Sequence, residues 1–203
     1  MVKVTLHNHF LTRLYRKSMH EAAIVLIRLL RLRFRFDKWH VHAADKPNYV
    51  RLVTKYGNNV EGSKVLEIGC GLGNLVSNLN FQTRIGIDLN EEVVRAAKFL
   101  NKFQIRKVNY VVGSFGEASL FDDIDLLILI NWIHRLNPSV LENEIRKLIK
   151  SSLKERAYMI SEGVSHYEYY HDRVFFEKFG DVVREELIDD RQIFLIKLKK
   201  TSF

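Results

Sequence analysis

The stretch Lys64 to Asn74, reading Lys-Val-Leu-Glu-Ile-Gly-Cys-Gly-Leu-Gly-Asn, constrains the fold of this chain more than any other. Val65 to Ile68 has the length and branching of a buried strand. It carries Glu67 one residue before its end and runs into glycines at alternate positions, Gly69, Gly71 and Gly73. A strand that enters such a loop and leaves as a helix is a nucleotide-binding turn. Residues without a Cβ let the backbone approach a ligand, and the loop amides point towards it. The next apolar run, Thr83 to Leu89, reads as a second strand whose end places Asp88 roughly 20 residues beyond the first glycine. An acid there is positioned to accept hydrogen bonds from ribose hydroxyls.

Two cofactor classes use this geometry. Dinucleotide binding wants the pattern G-x-G-x-x-G, but Asn74 stands where its third glycine belongs, and Gly73 comes early. An acid just before the first glycine repels a pyrophosphate and suits a ligand with a cationic end. The combination Glu67-x-Gly69-x-Gly71-x-Gly73, followed by a strand ending in Asp88, resembles motif I and its successor in the class I S-adenosylmethionine-dependent methyltransferases. A nicotinamide or flavin enzyme is the remaining alternative. The resemblance covers roughly residues 60 to 200. It implies a doubly wound, Rossmann-like α/β fold with a seven-stranded sheet, mostly parallel with an antiparallel C-terminal strand. It also implies S-adenosylmethionine as cofactor, held by Glu67, Gly69, Cys70, Gly71, Gly73, Asp88 and Leu89. In that family the turn after the third strand flanks the adenine. Here the turn is Gly113-Ser114-Phe115, with Ser114 where an acid is usual and Phe115 either packed on the ring or part of the core. Asn131, leaving the fourth strand, completes the cofactor set.

The chain of 203 residues suits one α/β domain, divided here into a basic helical or lid segment, 1–50, and a methyltransferase domain, 51–203. Apolar content of 47% and charged content of 28% are those of a globular chain. The single cysteine, Cys70, rules out a disulfide framework and makes a reducing cytoplasm the natural compartment. No run approaches the about eighteen apolar residues of a membrane span, so neither an anchor nor a signal peptide is expected.

The net charge of +8 gathers early, at Arg13, Arg16, Lys17, Arg28, Arg31, Arg33 and Arg35. Met19 to Leu30 reads as an amphipathic helix with Ala23, Ile27 and Leu30 on one face, ending near Arg33, although Arg31 to Phe36 alternates like a strand. This basic segment is either a solvated face packed on the domain or a contact for an anionic membrane surface, an acidic substrate or nucleic acid. Phe36-Asp37-Lys38-Trp39-His40 is similar to a lid segment of bacterial methyltransferases, which implies that Trp39, His40 and His42 line the acceptor site; Trp39 as a core anchor is the other reading. His40 and His42 have no carboxylate or cysteine partners at ligand spacing, so no metal is expected.

Strands and helices alternate from there on, the mark of a parallel sheet covered on both faces. Asn90 caps a helix with Glu91 and Glu92 in its first turn and Val93, Ala97 and Leu100 facing inward. Asn109 to Val112 is the third strand and Asp125 to Asn131 the fourth. Asn137-Pro138 opens a helix whose Leu141, Ile145, Leu148 and Ile149 point inward, and Ala157 to Ser161 is the fifth strand. A helix then closes at Gly180, and Val182 to Ile188 pairs with Gln192 to Lys199 as a hairpin.

Ligands of open α/β sheets lie beyond the carboxyl ends of the strands. Trp132 and His134 after the fourth strand, and His166 and Tyr167 after the fifth, are therefore the acceptor-side candidates. Asn131-Trp132-Ile133-His134 lacks the two prolines of enzymes that methylate base or amide nitrogens, and no cysteine is available for cytosine C5 chemistry. A small molecule or glycan thus ranks ahead of nucleic acid, with an inactive binding protein of the same fold as the alternative outside enzymes. A hydroxyl acceptor must lose a proton, and histidine suits that task. His134 is the first candidate and His166 the second, each with a purely structural role as its alternative.

Overall fold

The structure is a computed structural model that describes residues 21–22, 24–40 and 47–200. Ala23, His42 and the basic residues Arg13, Arg16 and Lys17 lie outside the described residues. The chain divides into two units, Met1–Lys46 and Pro47–Phe203.

In the first unit, residues 24–34 form helix α1. Ile27 and Leu30 are buried, as their spacing predicts. The alternation of Arg31 to Phe36 does not make a strand. The helix runs to residue 34, one past the expected end, and stops at Arg35, whose φ of 62° no helix tolerates. Arg31 Nε donates to the Phe36 carbonyl at 3.1 Å and closes the turn.

The second unit follows the alternation read from the sequence. Helix α2 (Pro47–Asn58) leads into β1 (Lys64–Ile68), β2 (Thr83–Asp88), α3 (Glu91–Asn101), β3 (Asn109–Val112) and the short α4 (Phe115–Ala118). Then come β4 (Ile124–Leu129), α5 (Pro138–Ser151), β5 (Leu153–Val164), α6 (Arg173–Glu177), β6 (Gly180–Ile188) and β7 (Arg191–Leu198). The sheet order is β3-β2-β1-β4-β5-β7-β6, with β7 antiparallel to both its neighbours. Alternate residues of the central strands feed two separate cores. Leu66, Ile68, Leu127 and Leu129 pack with Leu141, Ile145 and Leu148 of α5. Val65, Leu126 and Ile128 pack with Leu52 and Val53 of α2 and Val94 and Ala97 of α3. A strand covered on both faces must be apolar at every position, which explains the unbroken apolar run of β4. Strand order reverses between β1 and β4, so their carboxyl ends open the crevice where ligands of such sheets bind.

Local chemistry accounts for the element ends. Asn90 Oδ1 accepts the Val93 amide at 3.0 Å, and Asn137 Oδ1 accepts that of Ser139 at 2.9 Å. Three expectations are corrected. The glycine loop does not leave as a helix: turns lead to a single 3-10 turn, Val76–Asn78, because the short link to β2 is pinned by buried Leu75, Val76 and Leu79. β4 ends at Leu129, with Asn131 in a left-handed conformation (φ 77°) outside it. β5 is much longer than Ala157 to Ser161, since its polar start is held by backbone pairing, with Leu153 opposite Ile124.

Candidate active site

The glycine loop closes over the end of β2. The amides of Gly69 and Cys70 both donate to the Ile87 carbonyl, at 2.7 and 2.9 Å. Gly69 and Gly73 have φ of 75° and 82°, and neither has room for a side chain. A Cβ at Gly69 would lie 2.2 Å from the Trp132 indole, and one at Gly73 would lie 1.8 Å from the Tyr110 hydroxyl. Cys70 is buried beside Gly86, and burial pushes its thiol well above the usual range.

Asp88 ties the loop to the sheet. Its Oδ2 accepts the Gly71 amide at 2.8 Å and its Oδ1 accepts that of Asn90 at 2.9 Å. A carboxylate oxygen accepts more than one hydrogen bond, so Asp88 keeps capacity for a ligand's hydroxyls. Leu89 beside it is an exposed apolar residue. Glu67 is buried, and its Oε2 accepts the Val76 amide at 2.9 Å. Burial pushes the Glu67 carboxyl up to about 8; the Val76 bond pulls it down and the charge of Asp88 adds to the rise. A cation arriving here meets a group that gains by ionising.

At the turn after β3, the Gly113 amide donates to the Asp88 carbonyl at 2.9 Å. Ser114 caps α4, and its amide donates to Glu117 Oε2 at 2.7 Å. A carboxylate therefore does reach this turn, from three residues downstream. Phe115 is buried and lies 5.5 Å, ring to ring, from Trp132. The Trp132 Nε1 donates to the Ile68 carbonyl at 2.6 Å, laying the indole across the entrance to the glycine loop.

Beyond β4 and β5, Asn131 and His134 meet a polar cluster whose other members, Glu162, Arg191 and Tyr49, sequence reasoning did not name as site residues. Glu162 is fully buried; its Oε1 accepts the Asn131 amide at 2.6 Å and its Oε2 accepts Arg191 Nη1 at 2.7 Å. The same Arg191 nitrogen donates to Asn131 Oδ1 at 2.7 Å, Asn131 Nδ2 donates to the Tyr49 hydroxyl at 2.9 Å, and the guanidinium lies 5.2 Å over the Tyr49 ring. Asn131 is thus fixed through its backbone and both side-chain atoms. His134 is buried with Nδ1 3.4 Å from Glu162 Oε1, and its ring stacks on Tyr167 at 3.8 Å. His166 is half exposed, 3.6 Å from Asp190. Trp39 and His40 belong to the first unit, where His40 Nδ1 lies 2.8 Å from Asp37 Oδ1. Glu162, an acid after the apolar run Met159-Ile160 of β5, is a sequence signal for the rest of the cluster.

Residues 59–189, more than half of the chain, match the family model of a methyltransferase domain. The chain belongs to this family, the class I S-adenosylmethionine-dependent methyltransferases. Solved structures share the fold of this methyltransferase domain at low identity. A candidate O-methyltransferase from Nostoc punctiforme PCC 73102 is 18% identical with a TM-score of 0.65, over 77% of this chain and 58% of that one. The chain thus spans less than two thirds of that protein. Magnesium protoporphyrin IX methyltransferase from Synechocystis PCC 6803, with bound S-adenosylmethionine, is 17% identical with a TM-score of 0.59, over 77% of this chain and 79% of that one. An RNA methyltransferase from Salinibacter ruber, in complex with S-adenosylhomocysteine, is 15% identical with a TM-score of 0.56, over 76% and 92%. No curated protein matches the chain.

Proposed function

We propose that this methyltransferase acts on a hydroxyl or amine of a small molecule or glycan, with His134 as the base where the acceptor is a hydroxyl. The observation that carries this reading is a buried histidine, His134, with two ring nitrogens that have no hydrogen-bond partner among the described residues and with Glu162 Oε1 3.4 Å from its Nδ1, one strand end away from the glycine loop. The residues present fit S-adenosylmethionine. The loop glycines admit a close ligand, Asp88 offers acceptors for ribose hydroxyls, and Glu67 gains from a nearby positive charge. When bound, the cofactor supplies a methyl group already activated by a positive sulfur. The protein's part is then mainly alignment, which can supply up to about 7 to 11 kcal/mol. Glu162 Oε1 lies 3.4 Å from Nδ1 without a hydrogen bond to it, and Nε2 has no hydrogen-bond partner either, which leaves Nε2 to take the proton of a hydroxyl. Arg191 balances the Glu162 charge, so the carboxylate stays in place without solvent. Tyr167 stacks on the ring at 3.8 Å.

Charge supports a small acceptor over RNA. The first 36 residues hold eight of the 32 Lys and Arg and one of the 24 Asp and Glu, so +7 of the net +8 lies there. The unit that carries the glycine loop is close to neutral overall, which gives it little long-range attraction for a polyanion.

The test is mass spectrometry of methylated product from a panel of sugars, phenols, amines and short RNAs, after calorimetry with S-adenosylmethionine. A sugar or phenol product is expected, with His134→Gln lowering kcat by roughly 100-fold or more and His166→Gln changing it only a few-fold. Methylation of RNA alone, or equal loss from both variants, would refute the assignment.

A further inference from the structure

Helix α1 has three faces where a helix packed on its own protein needs two. Ile27 and Leu30 form the buried face. On the solvent side, Val25, Leu26, Leu29 and Leu32 are 54%, 46%, 58% and 72% exposed, and at a 3.6-residue period they fall in one continuous stripe. Arg28 and Arg33 are exposed on the same helix, Arg35 is exposed just past its end, and no acidic residue occurs between 22 and 36. An exposed apolar stripe accompanied by arginines, with one acid, Glu21, at the start of the helix, is the pattern of a helix lying in a membrane interface, with aliphatic side chains among the acyl chains and guanidinium groups at the phosphates.

We infer that α1 is an interfacial anchor for a membrane surface rich in anionic lipid. The charge distribution supports this occupant over others. Almost the whole excess positive charge of the protein sits in the segment that holds the stripe, and an anionic leaflet attracts such a segment. RNA phosphates would use the arginines and have no use for four exposed aliphatic residues. A second copy of this helix would bring arginines against arginines. Among the described residues no helix is long and apolar enough to cross a membrane. Attachment through one short helix is therefore reversible and weakens with salt.

The test is flotation of the full chain with vesicles of phosphatidylcholine alone and of phosphatidylcholine mixed with phosphatidylserine. Binding is expected to the anionic vesicles only and to fall as salt rises. The Arg28→Gln/Arg33→Gln pair should weaken it by roughly fivefold per arginine removed. The Leu29→Gln/Leu32→Gln pair should abolish it while leaving the far-ultraviolet circular dichroism unchanged, because both leucines already face solvent. Three results would overturn the inference. One is no flotation of the wild-type chain with anionic vesicles. Another is flotation that the leucine pair leaves intact, together with binding to single-stranded RNA that competes with it. The third is a concentration-dependent dimer in sedimentation that the leucine pair dissociates.

Discussion

Glu67 occupies a site that penalises its own charge, and this has a measurable sign. Its carboxyl titrates near 8 in the folded protein and at 4.5 in an unfolded chain, so the folded state binds the extra proton between those values. The stabilisation from this group is therefore complete below about pH 4.5 and is lost as pH rises through about 8. A cationic ligand that favours the ionised form reverses the preference. Binding of S-adenosylmethionine at pH 7 is expected to release a fraction of a proton, read by calorimetry in buffers of different ionisation heat, and Glu67→Gln to bind without release. The Glu162–Arg191 pair fails differently, because both members are buried and each depends on the other. Arg191→Met strands a buried carboxylate and should cost about 3–5 kcal/mol in urea unfolding, with part of the loss recovered in the Glu162→Gln/Arg191→Met double variant.

At the scale of elements, the sequence was most legible where structure is decided locally. The caps at Asn90 and Asn137-Pro138, the apolar stripe of α5 and the apolar run of β4 are set by neighbours a few residues away, and each formed as expected. The glycine spacing gave the loop, yet the helix expected after it is replaced by turns, because burial of Leu75, Val76 and Leu79 outweighs helical propensity. The assembly of the polar cluster was not legible. Its bonds join residues 82, 60 and 29 positions apart, and no period or spacing announces such a meeting. The loop itself yields a prediction. Gly73→Ala forces a left-handed alanine whose methyl meets the Tyr110 hydroxyl, and should destabilise by about 2 kcal/mol or more. Removing that hydroxyl in Gly73→Ala/Tyr110→Phe should return part of the loss in chemical denaturation while leaving the backbone strain.

For the whole molecule, the cradle at the ends of β1 and β2 couples ligand binding to global stability. S-adenosylhomocysteine at about 100 times its Kd should stabilise the protein by about 2.7 kcal/mol. For a chain of this size that is a rise in Tm of about 5–10 °C. Asp88→Ala, which frees the Gly71 amide and removes the acceptor for ribose, should lower the Tm without ligand and abolish most of the rise. The strand order carries a further consequence. β7 lies between β5 and β6, and its first residue, Arg191, is the counter-ion of Glu162. During synthesis Glu162 has no counter-ion until the segment around 191 has been translated. An unfinished chain therefore carries Glu162 without its counter-ion.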